Sequence, residues 1–260
     1  MGDQIIGLQQ WLETPPGRYL LDWERSRFDS AVADIFGYHA LQLGMPGLDA
    51  LRANRMPHRW VADSQPGDPG APALVADFSA LPFAENSLDL LVLPHALELS
   101  ADPHSTLREA ERVLVPEGRL VVCGLNPASL WGLRQRRAHL YRKLGFGELF
   151  LPQAGEFIGY WRLRDWLRLL SFEVESATFG CYSPAVRSEK WLRRFEWMER
   201  AGDRWWPIFG AVYFLVAVKR VRGMKLLGTS WKSAPALAAA PVSIANQVRP
   251  SGPTIQREIH

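Results

Sequence analysis

Residues 76–125, "ADFSALPFAENSLDLLVLPHALELSADPHSTLREAERVLVPEGRLVVCGL", decide the fold. Two apolar runs, at 88–94 and 119–125, are nearly continuous, the pattern of strands covered on both faces. Between them Asp102 stands just before Pro103, and Leu107, Ala110, Val113 and Leu114 recur at helical spacing. That arrangement predicts an N-capped helix over 102–114, stopped by Pro116 and Gly118. Strand, helix and strand in this order belong to a parallel α/β sheet.

The same alternation extends outward in both directions. Upstream, 39–44, 58–63 and 72–78 read as strands. About ten residues dense in Pro and Gly separate Asp63 from Leu74, too few for a helical crossover, so that helix is expected to be missing. Downstream, "LRDWLRLLS" (163–171) is an amphipathic helix, followed by strands at 172–179 and 211–221. These make seven strands, and the last pair, lacking a parallel continuation, is expected to form an antiparallel edge. Residues 1–38 hold two helical patterns separated at "TPPG" and are expected to form an N-terminal helical cap. The principal domain is expected over 39–228, with a substrate-side insertion at 126–162. The Ala-, Pro- and Ser-rich segment 229–260 reads as a disordered tail.

The chain has 260 residues, a hydrophobic fraction of 47% and a charged fraction of 22%, which suits a globular domain with a sizeable core. A formal charge of +3 is too mild to diagnose nucleic-acid binding, and no nucleic-acid module is recognisable. Two cysteines, Cys123 and Cys181, are too few for a disulfide framework or a zinc site, so no metal is expected. The N-terminal segment lacks a signal-peptide pattern and no apolar run reaches membrane-spanning length, so a reducing, cytoplasmic setting is expected. No feature of the sequence points to a particular oligomeric state.

In "HALQLGMPGLDAL" (39–51) an apolar run meets Gly44 and Gly47, and Leu48 begins a helical pattern. Strand, glycine turn and helix form a nucleotide-binding unit, with Gly44, Met45 and Gly47 at the turn. Asp63 follows Gly44 by about nineteen residues, near the spacing at which an acid reads a ribose. Pro94 and His95 close the fourth strand, and open α/β sheets place ligands at the carboxyl ends of strands.

Over 76–127 the sequence resembles class I S-adenosylmethionine-dependent methyltransferases of the type 11 group. The resemblance rests on Asp77, on Leu81-Pro82-Phe83, on Ser87 and Asp89, on "HALE" (95–98), on the Leu-Arg-Glu-x-x-Arg-Val-Leu helix and on Gly118. It extends over roughly 38–222, and "GLNPASLWGLR" (124–134) is similar to a proteobacterial subgroup of that family. It implies a Rossmann-like, mostly parallel seven-stranded sheet with helices on both faces, and S-adenosylmethionine as cofactor. It further implies adenine contacts from Asp77 and Phe78. The family pattern has a carboxylate at Gln42 and glycines at Pro46 and Leu48, so this turn departs from it. Gln42 is expected to hydrogen-bond the cofactor, and restoring a carboxylate there is expected to tighten binding.

The expected reaction is methyl transfer to a small or amphipathic acceptor, with His95 the candidate base if one is needed. Non-catalytic partner binding and nucleoside sensing are the alternatives. "RQRRAHLYRK" (134–143) contains no acid and suits a solvated face, an anionic acceptor, a phospholipid surface or, least of these, RNA. Trp191, Trp197, Trp205 and Trp206 lie among arginines, as a packing surface or a peripheral membrane contact would require.

Overall fold

A computed structural model describes residues 10–65, 74–143, 150–151 and 157–220. The predicted tail at 229–260 and the first of the two N-terminal helical patterns, up to residue 9, lie outside them. Seven strands form one sheet in the order β3-β2-β1-β4-β5-β7-β6. They are β1 (His39–Leu43), β2 (His58–Asp63), β3 (Leu74–Val75), β4 (Leu88–Pro94), β5 (Leu114–Leu125), β6 (Phe172–Gly180) and β7 (Val212–Lys219). The first five run parallel, while β7 lies antiparallel between β5 and β6. This is the expected mostly parallel sheet with an antiparallel end.

Among the described residues, seven α-helices flank it: α1 (Pro15–Val32), α2 (Ala96–Leu99), α3 (Pro103–Val113), α4 (Leu130–Lys143), α5 (Tyr160–Leu169), α6 (Glu189–Arg194) and α7 (Trp197–Trp205). Because strand side chains alternate between faces, the core divides in two. Leu90 and Val92 meet Leu20, Phe28 and Val32 of α1 and Trp131 of α4 on one face. Leu91 and Leu93 meet Leu107, Ala110 and Val113 of α3 and Leu163 and Leu167 of α5 on the other.

The "TPPG" break proves to be a helix start. Thr14 caps α1, its side chain accepting from Gly17 N, and Pro15 occupies the first turn, where its missing amide costs nothing. Asp102 caps α3 as predicted, accepting from the amides of His104 and Ser105. The helix then ends at Val113, and β5 begins at once at Leu114, ahead of Pro116 and Gly118.

Two expectations are corrected. No α-helix follows β1. Met45 and Asp49 both adopt left-handed backbone (φ 48° and 45°), which limits the segment to a single 3-10 turn, Pro46–Leu48. The strand read at 72–78 is confined, among the described residues, to Leu74 and Val75; Val75 is 52% exposed, so it is not covered on both faces.

The motif behind the resemblance is largely structural. Asp89 Oδ2 accepts from the amides of Tyr38 and His39, which fixes the start of β1 beside β4. Glu109 and Arg112 of α3 clamp the Leu81-Pro82-Phe83 turn. Glu109 accepts from Leu81 N (2.7 Å), and Arg112 donates to the carbonyls of Leu81 (3.2 Å) and Phe83 (2.9 Å).

Candidate active site

A cavity of about 690 Å³ opens at the carboxyl ends of β1 and β2, within the size range of small-molecule sites. Met45, Gly47 and Leu48 of the turn, Asp63 at the end of β2, and Leu99 at the end of α2 form one side. Leu12, Glu13, Arg18, Leu21 and Arg25, from α1 and its approach, form the other.

The turn owes its shape to Gln42. This side chain is fully buried; its Nε2 donates to the carbonyls of Gly44 (3.0 Å) and Met45 (2.9 Å), and its Oε1 accepts from Ala50 N (2.8 Å). Those bonds occupy both amide hydrogens and the amide oxygen. The expected cofactor contact from Gln42 is therefore corrected: it is a brace beneath the turn and does not line the cavity. Gly44 has φ +77°, a conformation that favours glycine, and a Cβ there would lie 3.7 Å from the Phe78 ring. A Cβ at Gly47 would meet nothing within 4 Å, so the missing side chain leaves space at the cavity wall. Pro46, at the first position of the 3-10 turn, sacrifices no hydrogen bond there.

Of the residues singled out from sequence, Met45, Gly47 and Asp63 meet at the cavity, and Gly44 and Phe78 adjoin one another beside it. Asp63 is 8% exposed, and its Oδ1 accepts from Ser64 N. Asp77 stands on the surface, where Oδ1 accepts from the Ser79 amide and hydroxyl. Those bonds hold its carboxyl below the usual range. Pro94 is buried in the sheet, opposite Cys123.

His95 is the largest departure. It follows β4 in left-handed conformation (φ 53°) and is 1% exposed. Its Nε2 lies 2.7 Å from Glu24 Oε1 of α1, and its Nδ1 lies 2.8 Å from Glu98 Oε2 of α2. Glu98 Oε1 also accepts from Leu125 N, and Cys123 Sγ lies 3.4 Å from Glu24 Oε1. Burial opposes charge on the imidazole, but the two flanking carboxylates outweigh it and hold the pKa well above the ordinary 6.5. Both ring nitrogens lie against carboxylates and the ring does not line the cavity, so the structure places the candidate base in a buried ion cluster away from the cavity wall. Glu24, His95 and Cys123 supply donor atoms within 4.8 Å of one another. At 2.7 Å, however, the oxygen and nitrogen are at hydrogen-bond distance, closer than two ligands around one zinc ion.

The α1 residues were missed as site residues. Leu20, Glu24, Phe28 and Val32 repeat every four residues and are all buried, so a carboxylate inside an apolar stripe was the available signal. Cys123 and Cys181 are both buried and unpaired with one another.

Comparison with known proteins agrees with this architecture. Residues 54–122 match the family model for a methyltransferase domain. The chain is 34% identical over 176 residues to the uncharacterised protein YafS of Escherichia coli K12, covering 67% of this chain and 69% of that protein. It is 30% identical over 133 residues to a ubiquinone/menaquinone biosynthesis C-methyltransferase of Cereibacter sphaeroides, covering 48% of this chain and half of that protein. Among solved structures, it superposes with a TM-score of 0.55 and 17% identity on a chain from the complex of the Haloferax volcanii Trm112 methyltransferase activator with a methyltransferase. That match covers 85% of this chain and 99% of the other. The chain belongs to the class I S-adenosylmethionine-dependent methyltransferases of the type 11 group.

Proposed function

We propose that the cavity between the 44–48 turn, Asp63 and α1 holds S-adenosylmethionine, and that the methyl acceptor is a small or amphipathic molecule met in the cytosol. The observation that carries this reading is the donor set of this cavity. A carboxylate at the end of β2 faces two arginines and a glutamate on α1 and its approach, across an apolar lining. Asp63 can accept from vicinal ribose hydroxyls. Arg18 and Arg25 suit a carboxylate and Glu13 an ammonium, the two charges of an amino-acid end. Leu12, Leu21, Leu48 and Leu99 exclude water from the same space. Asp77 and Phe78, beside Gly44, would contact the adenine.

Bound there, S-adenosylmethionine supplies an electrophilic methyl group on a sulfonium leaving group. The protein's own contribution is then alignment and dehydration. With His95 withdrawn, an acceptor that must lose a proton finds Glu13 and Asp63 as the carboxylates of the described cavity wall.

Calorimetric titration with S-adenosylmethionine and S-adenosylhomocysteine tests the reading. Both should bind, and Asp63→Ala should weaken binding by about 1–3 kcal/mol, roughly fivefold to 150-fold in Kd. Asp77→Ala should cost a similar amount if its free oxygen receives the adenine amine. Absence of binding heat from the folded wild-type protein would overturn the enzyme reading in favour of partner binding. Unchanged affinity in folded Asp63→Ala would move the site elsewhere.

A further inference from the structure

Helix α4 is built with its apolar side outward. Toward the core it buries Trp131, whose Nε1 donates to the Ser183 carbonyl (2.8 Å), and a polar residue, Gln135. Gln135 Oε1 accepts from the amides of Phe150 (3.1 Å) and Leu151 (2.9 Å), and its Nε2 donates to the Leu151 carbonyl (3.2 Å). The opposite side carries Leu130, Leu133, Leu140 and Tyr141, which are 49%, 54%, 62% and 48% exposed. At 100° per residue these four fall on one face with Arg137 and with Arg136 at its margin, while Arg134, at the other margin, donates to the Ala185 carbonyl and lies over the Phe150 ring. Residues 130–143 contain five basic residues and no Asp or Glu.

This is the reverse of a soluble amphipathic helix, which turns its apolar stripe to the core. An outward apolar stripe bordered by arginines is the pattern of a helix lying in a bilayer interface. Long basic side chains there reach the head groups while the stripe enters the acyl boundary. A second exposed apolar pair lies near the approach to α4. Asn126 Nδ2 donates to the carbonyls of Ile208 (2.8 Å) and Gly210 (2.9 Å), joining the approach to α4 to the 3-10 turn Pro207–Phe209. In that turn Ile208 and Phe209 are 44% and 52% exposed. Duplex or single-stranded RNA would match the arginines but would leave the leucines without a partner. Anionic lipid matches both.

We propose that the outward face of α4 seats the protein peripherally on an anionic phospholipid bilayer. Among the described residues no helix is long and apolar enough to cross a membrane, so the contact is one of surface partition. It does not depend on the ligand assigned to the cavity.

Co-sedimentation of the full chain with phosphatidylcholine vesicles, with and without phosphatidylglycerol, reads the proposal directly. The protein should pellet with the mixed vesicles and stay largely in solution with phosphatidylcholine alone. Raised salt should release it, because head-group attraction is screened. Arg136→Glu combined with Arg137→Glu should lower partition by about tenfold or more. Leu133→Asp combined with Leu140→Asp should abolish retention at high phosphatidylglycerol. Circular dichroism and melting temperature identify variants that fold as the wild type does, and each pair has a milder alternative, Arg→Gln and Leu→Ser. Wild-type protein that stays in solution with anionic vesicles would overturn the proposal. So would variants that fold normally and partition unchanged, or apolar-face variants that lose self-association or RNA retention in place of vesicle binding.

Discussion

Replacement of His95 by leucine is expected to destabilise the protein by about 3–5 kcal/mol, the cost of removing one partner from a buried ion cluster. Two carboxylates, on Glu24 and Glu98, would then face apolar surroundings with no counter-charge, although Glu98 keeps the Leu125 amide. Glu24 already has one buried oxygen, Oε2, without a hydrogen-bond partner. The loss should be visible in chemical denaturation as a lower midpoint with an unchanged slope. It should also reach the ligand site, because Leu21 and Arg25 stand on either side of Glu24 and both line the cavity. The pH dependence has a definite sign. The folded pKa of His95 is raised above its unfolded value of about 6.5, so its contribution is complete below that pH. It is then lost as pH rises through the higher folded value. In the leucine variant, however, protonating the two uncompensated carboxylates relieves their cost, so the gap between wild type and variant should be smallest in acid and should open as pH rises toward neutrality. Wild-type stability that did not fall as pH rose above about 6.5 would show that the imidazole is neutral in the fold. Replacing all three residues by apolar ones of similar volume is expected to recover most of the loss.

Gln42→Glu is the second large effect, and the structure attaches to it a stability cost that the sequence did not indicate. A carboxylate was to tighten the cofactor by supplying charge. In the fold, one of its oxygens would replace the amide nitrogen that donates to the carbonyls of Gly44 and Met45. Oxygen would face oxygen in a fully buried position, and the expected cost is about 3–5 kcal/mol if the group stays charged. Protonation would relieve part of this by restoring one donor, so the variant should gain stability as pH falls relative to wild type. Denaturation across a pH series separates these outcomes. A Gln42→Glu protein as stable as wild type at neutral pH, with tighter S-adenosylmethionine binding, would show that the turn rearranges to expose residue 42.

The strands were legible because each is an apolar run or an alternating run bounded by turn residues, and β2 and β4 begin and end where the pattern does. The helix expected after β1 was not legible as absent. Its apolar spacing at 48–51 is real, but those residues reach the core from an irregular path that Met45 and Asp49 impose by their left-handed backbone. In the site, position in the chain was readable and direction was not. Asp63 ends its strand facing the cavity, whereas His95, equally placed at the end of β4, turns beneath α2 toward Glu24. Its destination depends on a carboxylate seventy-one residues away, which no local pattern encodes. Gln42 looked like an eroded ligand residue because its hydrogen-bond partners are backbone atoms, which leave no trace in residue identity.

The position of β7 governs how the chain can be made. It is the last of the described strands to leave the ribosome, yet it fills the gap between β5 and β6, with all eight residues buried. Its final residue, Lys219, locks the strand by donating to Asn86 Oδ1 (3.0 Å) and to the carbonyls of Glu111 (2.6 Å) and Leu114 (2.8 Å). During translation, therefore, β5 and β6 must wait with adjacent edges unpaired, and edges in that state recruit strands from other molecules. Chains released before residue 212 have no means of closing the sheet and become clients of chaperones and proteases. Slowing elongation ahead of β7 should lower the yield of native protein more than slowing it beyond residue 219.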